Sequence, residues 1–133
     1  MGISKTDNDN NRLARGMEAI GIVDGEAGNQ VVEAMADIMP DFATQLIENF
    51  GDIYTRPQLN LREREIATIA ALTAIGHAIP QLKVHIQAGL NVGLSEHEIT
   101  EIMMQMHLYA GFPAAINAMF AAKEVFAAQK SSS

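Results

Sequence analysis

Three prolines, Pro40, Pro80 and Pro113, each stand at the head of a run whose apolar residues recur at helical rather than strand spacing. Proline is tolerated in the first turn of a helix, where its missing N–H has no intrahelical acceptor to lose, but it breaks a helix interior or a central strand. Three such corners, the last two preceded by a glycine that closes the run before them (Gly76 and Gly111), restrict the chain to helices joined by short turns. Composition agrees: there are 8 Met, abundant Ala and only 5% aromatic residues, without Trp. Ala and unbranched Met lose little entropy in a helix, while β-branched and aromatic residues are what strands use. The expectation is an all-α fold of six to seven helices. A chain of 133 residues is read as one domain over 1–133, with frayed tails at 1–6 and 130–133.

The first helix is expected from about Asp7 to Ile20, followed by a Gly-rich break, Gly21 to Gly28, and a second helix from about Asn29 to Met39. Pro40 opens the third, where Phe42, Leu46 and Phe50 share one face and Gly51 occupies the place of a C-terminal cap, before an irregular stretch from Asp52 to Gln58. Asn60 heads the fourth helix with Glu63 three residues on, and that helix stops at Gly76. Pro80 opens the fifth, which ends at Asn91-Val92-Gly93. Ser95 and Glu98 form a capping box at the head of the sixth, which Gly111 ends, and Pro113 opens the last helix, to about Ala128. The corners have no fixed period, so no repeat is read.

The charge balance narrows the partners. With 16 acidic against 9 basic residues the formal charge is −7. That balance repels nucleic acid and anionic lipid, and no Lys/Arg run offsets it. The longest apolar stretch, Ile66 to Ile75, is too short to cross a membrane and reads as a buried helix. The absence of Cys removes disulfides, thiolate catalysis and sulfur-ligated metal together. No His/Asp/Glu spacing suggests a metal, the polar start carries no signal peptide, and the chain is read as cytoplasmic, with no nucleic-acid or membrane partner.

Two ionisable side chains fall on apolar faces. Glu65 lies in the stripe of Leu61, Ile69 and Leu72, and His85 in that of Leu82, Ile86, Gly89 and Leu90. A buried carboxylate must find a partner or take up a proton. A Glu and a His on consecutive helices can satisfy each other, and such a pair in a dry pocket supplies a proton near neutral pH. The structural alternative stays open, since an inward Glu often pairs with an Arg and an inward His is often a satisfied core residue. Tyr109 is placed on the inward face of the sixth helix, where a tyrosine either meets a ligand or ties its hydroxyl to backbone. His77, just past a helix end, is a further candidate, whereas His97 and His107 are weaker. Arg56, Arg62 and Arg64 lie within nine residues beside a loop and form either a solvated helix start or a clamp for a small anionic substrate, guanidinium being suited to carboxylates.

These residues lie in a pattern with a family resemblance. Phe50-Gly51-Asp52-Ile53-Tyr54-Thr55-Arg56-Pro57 with Leu61 to Glu65, then Ala70 to Gly76, Leu82-Lys83-Val84-His85, Gly89 to Gly93, and Tyr109-Ala110-Gly111-Phe112-Pro113-Ala114-Ala115 resemble, in order and spacing, the motifs of the carboxymuconolactone decarboxylase family. The resemblance implies an alkyl-hydroperoxidase D-like helical subunit in a ring-like homo-oligomer, often a trimer of dimers. It implies a cofactor-free carboxy-lyase converting 4-carboxymuconolactone to an enol-lactone in aromatic-compound catabolism. For such a reaction Glu65 and His85 are the catalytic candidates, and Arg56, Arg62, Arg64, His77 and Tyr109 the candidates for binding substrate. The thiol peroxidases of the superfamily use a Cys-x-x-Cys; here His77 and Pro80 stand about where those cysteines would be, so that activity does not carry over. Tyr54 replaces the usual Trp and Val92 the second Asn, which leaves the substrate open. A related lyase or isomerase with another substrate, or a non-catalytic small-molecule-binding oligomer, are the alternatives.

Overall fold

The computed structural model describes residues 5–131, and among them there are seven α-helices and no strand. The helices are α1 (Lys5–Val23), α2 (Gly25–Ile38), α3 (Pro40–Tyr54), α4 (Leu61–Ile75), α5 (Ile79–Asn91), α6 (Glu96–Ala110) and α7 (Phe112–Ser131). All three prolines fall in a first helical turn, as their chemistry requires. Met39, before Pro40, is extended at φ −153° and ψ 93°, which is where the proline ring pushes its predecessor. The expected stops at Gly76, Gly93 and Gly111 all carry positive φ, a conformation that would strain any other residue. No described helix is long and apolar enough to cross a membrane.

The chain divides into two compact units, one ending at Asn60 and the other beginning at Leu61. In the first, α1 and α2 both pack on α3 around Ala19, Ile20, Val23, Ala43 and Ile47. Two expectations fail here, the Gly51 cap and the long glycine-rich break, while Phe42, Leu46 and Phe50 do share one face of α3. The buried stripe of α3 is Ala43, Ile47 and Gly51, one residue away from the Phe42, Leu46 and Phe50 stripe that size and hydrophobicity favour. Phe42 is 53% exposed, and its stripe lines an open groove of about 370 Å³ with Ile53 and Tyr54, whose ring stacks on Phe50. Gly51 is not a cap: it lies inside α3 where Gly16 of α1 crosses it, and a Cβ there would come within 2.5 Å of the Gly16 Cα. The break expected over Gly21 to Gly28 shrinks to Asp24, because only Gly25 turns the backbone, at φ +63°, and the other glycines stay helical.

Asp52, expected in an irregular stretch, lies in the last turn of α3 and is held by α1. Arg12 Nη2 donates to its Oδ2 at 2.7 Å and Arg15 Nη2 to its Oδ1 at 2.6 Å, with Glu48 3.7 Å from Arg12. The hydrogen bond from Arg12, then that from Arg15, holds the Asp52 carboxyl below its usual value of 3.8, against a smaller opposing effect of desolvation. A carboxylate with a lowered folded-state pKa contributes stability that is complete above 3.8 and is lost as pH falls through the folded-state value. Asp52→Asn is therefore expected to melt below the parent chain at pH 7, with the two melting curves converging below pH 3.8. A gap that persists unchanged in acid would show that the ion pairs are not its source.

In the second unit, α4, α5, α6 and α7 enclose a core of Ile69, Leu82, Ile86, Leu94, Ile99, Met103, Ala118, Ala121 and Ala122. The capping box at the head of α6 forms as expected: Glu98 N–H donates to Ser95 Oγ at 3.0 Å and Ser95 N–H to Glu98 Oε1 at 2.9 Å. The Ile66 to Ile75 run is only partly buried. Ile69 and Thr73 face inward while Ile75 is 50% exposed, so an apolar sequence runs along both sides of one helix. Of the tails expected to fray, Lys5 and Thr6 belong to α1, and Lys130 and Ser131 to α7. There Ser131 Oγ donates to Ala127 O at 3.0 Å and Lys130 Nζ lies 3.7 Å from Glu96, contacts that prolong the last turn. Residues 1–4 and 132–133, the rest of those tails, lie outside the described residues.

Candidate active site

The buried positions of α4 are Glu65, Ile69 and Thr73, spaced four apart, so a single helix face carries a carboxylate into an otherwise apolar interior. On α5 the buried positions are Leu82, Ile86, Ala88 and Gly89, and His85 shares the face of Leu82 and Gly89, three and four residues away. Helix packing brings the two groups together. His85 Nδ1 lies 3.0 Å from Glu65 Oε2 and 3.2 Å from Oε1. Glu65 is fully buried, whereas the His85 side chain keeps 16% of its surface exposed.

The pair has a definite chemical direction. With both carboxylate oxygens facing Nδ1, the ring places an N–H there, and Nε2 is the nitrogen that Glu65 does not engage. An imidazole so held can carry a second proton on Nε2 while the carboxylate balances the charge. A buried carboxylate without such a partner would cost several kcal/mol, about 3–5 when one member of a buried pair is removed. The Glu65 carboxylate is out of water and the His85 side chain is not wholly so, which suits a group that orients and a group that exchanges protons.

The other candidates are distributed differently. The Arg62 guanidinium bonds to Glu98 Oε2, the carboxylate that also caps α6. Arg64 is partly buried in the first turn of α4, and its carbonyl accepts from Thr68 Oγ1 at 2.9 Å. Arg56 belongs to the other unit, in the exposed segment after α3, where its backbone N–H donates to Ile53 O. His77 is exposed at the corner between α4 and α5. Tyr109 is not on an inward face: it is 78% exposed, next to the exposed Leu108 and three residues before the exposed Phe112. His107 serves the end of α6, with Nδ1 2.5 Å from Met104 O and the ring stacked on Phe112 at 4.7 Å, a structural use of a cation-capable group near a helix C-terminus. His97 is exposed, as expected. The structure thus joins Glu65 to His85 and Arg62 to Glu98. The second joint spans 36 residues and has no periodic signal; opposite charges on two different helices were its only trace in the sequence.

Comparison with known proteins identifies the family. The sequence profile of the carboxymuconolactone decarboxylase family matches residues 40–124, which includes both members of the pair. A 4-carboxymuconolactone decarboxylase of Acinetobacter baylyi is 37% identical over 122 residues, 90% of each chain. An uncharacterized 15.0 kDa protein of Paracoccus denitrificans is 33% identical over 98 residues, 72% of this chain and 73% of that one. A nitrosuccinic acid decarboxylase of Metarhizium robertsii is 32% identical over 71 residues, 53% of this chain and 48% of its own length. The matched span, and a relative aligned along nine-tenths of both chains, place the protein in the carboxymuconolactone decarboxylase family.

Proposed function

We propose that the protein is a cofactor-independent carboxy-lyase for a small lactone carboxylate, with 4-carboxymuconolactone the first candidate. The observation that carries the reading is the buried Glu65 carboxylate held 3.0 Å from His85 Nδ1. Identity of 37% to a 4-carboxymuconolactone decarboxylase supports the choice of substrate class.

The chemistry asks little of the protein. When the C–CO₂⁻ bond breaks, its electron pair enters the conjugated lactone system, carbon dioxide departs, and a dienolate remains. His85, charged, donates the proton on Nε2 to the dienolate carbon, which completes the enol-lactone. Glu65 holds Nδ1–H and balances the imidazolium before the transfer. Solvent restores the proton to the ring. The substrate's own carbonyl is the electron sink, so the protein's part is orientation, electrostatic stabilisation and one proton. Arg64, one residue before Glu65, is the proposed holder of a second carboxylate, and His77 a substrate contact at the α4–α5 corner.

A second reading keeps the site and changes the sink. A nitro group accepts the electron pair of a departing carboxylate as a nitronate, and a nitrosuccinic acid decarboxylase is among the relatives. The purified chain is to be offered 4-carboxymuconolactone and 2-nitrosuccinate separately, with carbon dioxide release followed. Turnover of the lactone alone is the expected result. Turnover of the nitro acid alone moves the protein to the second reading, and release from neither removes the lyase assignment.

A further inference from the structure

We infer that Glu98 is a positioning residue for the Glu65–His85 pair, its carboxylate being the joint that fixes the first turn of α4 to the corner between α5 and α6. The inference deepens the proposed function and rests on it for its kinetic consequence. One oxygen of Glu98 accepts the Ser95 N–H at 2.9 Å; the other receives Arg62. Arg62 is one helical turn before Glu65, so whatever restrains the Arg62 backbone restrains the register and tilt of the carboxylate.

On the other side, the connection from Ser95 back to His85 is stiff. Val92 N–H donates to Ala88 O at 3.1 Å, Gly93 N–H to Leu90 O at 3.2 Å and Leu94 N–H to Gly89 O at 2.9 Å. Leu94 is itself a core residue, 3% exposed, so the corner cannot slide without uncovering it. Gly89, on the His85 face, has its Cβ position within 3.0 Å of Ile69 Cδ1 and 3.1 Å of Leu94 Cδ1. Glu65 and His85 are therefore each one short, hydrogen-bonded path from the same carboxylate. The same geometry gives Arg62 a structural task in place of the substrate clamp expected of it.

The ion pair is close to half exposed, at 43% for both side chains, so its removal should not unfold the chain. Its effect should appear in the alignment of the pair instead, since small displacements of a catalytic group are costly to rate. Glu98→Gln keeps an oxygen for the Ser95 N–H and loses the charge that holds Arg62. It is expected to lower kcat about three- to ten-fold with KM within about two-fold. Arg62→Gln should reproduce it, and the double variant should be no worse than either single one, because the two side chains act as a unit.

A readout without substrate separates this inference from the lyase assignment. In nitrogen-resolved NMR of the His85 ring, Glu98→Gln should move the signals away from the Nδ1–H form that Glu65 enforces. Glu124→Gln, which removes the Lys83–Glu124 contact of 2.5 Å elsewhere in the same unit, should leave the ring unchanged. If Glu98→Gln and Glu124→Gln alike leave the His85 ring at its parent signals, the positioning role is wrong, whatever the chain decarboxylates. A rise in KM for Arg62→Gln that Glu98→Gln does not share would equally overturn it, by returning Arg62 to the substrate. Absence of turnover on every acid tried would sink the lyase reading alone, and the ring signals would still decide this one.

Discussion

His85→Ala should lower kcat for carbon dioxide release by about 10² to 10⁴-fold at neutral pH, the range that a positioned general acid supplies. The expectation rests on direction as much as on distance. Glu65 engages Nδ1 at 3.0 and 3.2 Å, so the proton available for transfer is the one on Nε2. Alanine removes both nitrogens and leaves a fully buried carboxylate without its imidazole, so some of the loss could come from a disturbed fold. His85→Asn separates the two effects. An asparagine amide nitrogen occupies nearly the place of Nδ1 and can still donate to Glu65, but nothing occupies the place of Nε2. If His85 is the acid, Asn is as inactive as Ala while melting much closer to the parent. If Asn retains a rate within about threefold of the parent, the proton comes from elsewhere. Glu65→Gln should fall between the parent and His85→Ala, because the amide oxygen still accepts Nδ1–H but no longer balances a charged ring.

The Glu65–His85 pair was legible because helical periodicity is a rule about direction. A residue four places from a core residue shares its face, and both groups met that condition. Tyr109 was misplaced against the same rule. The buried residues of α6 are Ile99 and Met103, and at about 100° per residue Tyr109 falls roughly 80° to 120° around from them, off the buried stripe. On α3 the largest apolar side chains are not the buried ones. Phe42, Leu46 and Phe50 form a genuine apolar stripe, yet the buried stripe is Ala43, Ile47 and Gly51, because α1 approaches too closely for large side chains. In the sequence Arg62 reads as part of a clamp and Glu98 as half of a capping box. Their bond depends on how two helices pack, which no local pattern encodes.

That close approach leads to the largest expected effect on stability. A Cβ on Gly16 would sit 2.1 Å from Ile47 O and 2.7 Å from Ile47 C, and one on Gly51 would sit 2.5 Å from Gly16 Cα and 2.8 Å from Gly16 N. These are backbone atoms, which cannot rotate aside as a side-chain end can. Gly16→Ala must therefore push α1 off α3, opening the packing of Ala19, Ile20, Ala43 and Ile47 and stretching the bonds from Arg12 and Arg15 to Asp52. Overpacking of this kind costs about 1–3 kcal/mol or more, against a gain of up to about 1 kcal/mol from alanine's better helix propensity. Gly21 supplies the control within the same helix. It is exposed and helical, and a Cβ there would meet nothing within 4 Å, so only the propensity gain remains. Gly21→Ala should raise the melting temperature and Gly16→Ala should lower it, one substitution with opposite signs five residues apart on α1. Were both to shift the melt in the same direction, the two helices could not cross through their glycines, and the account of why α3 buries its small residues would fall with that crossing.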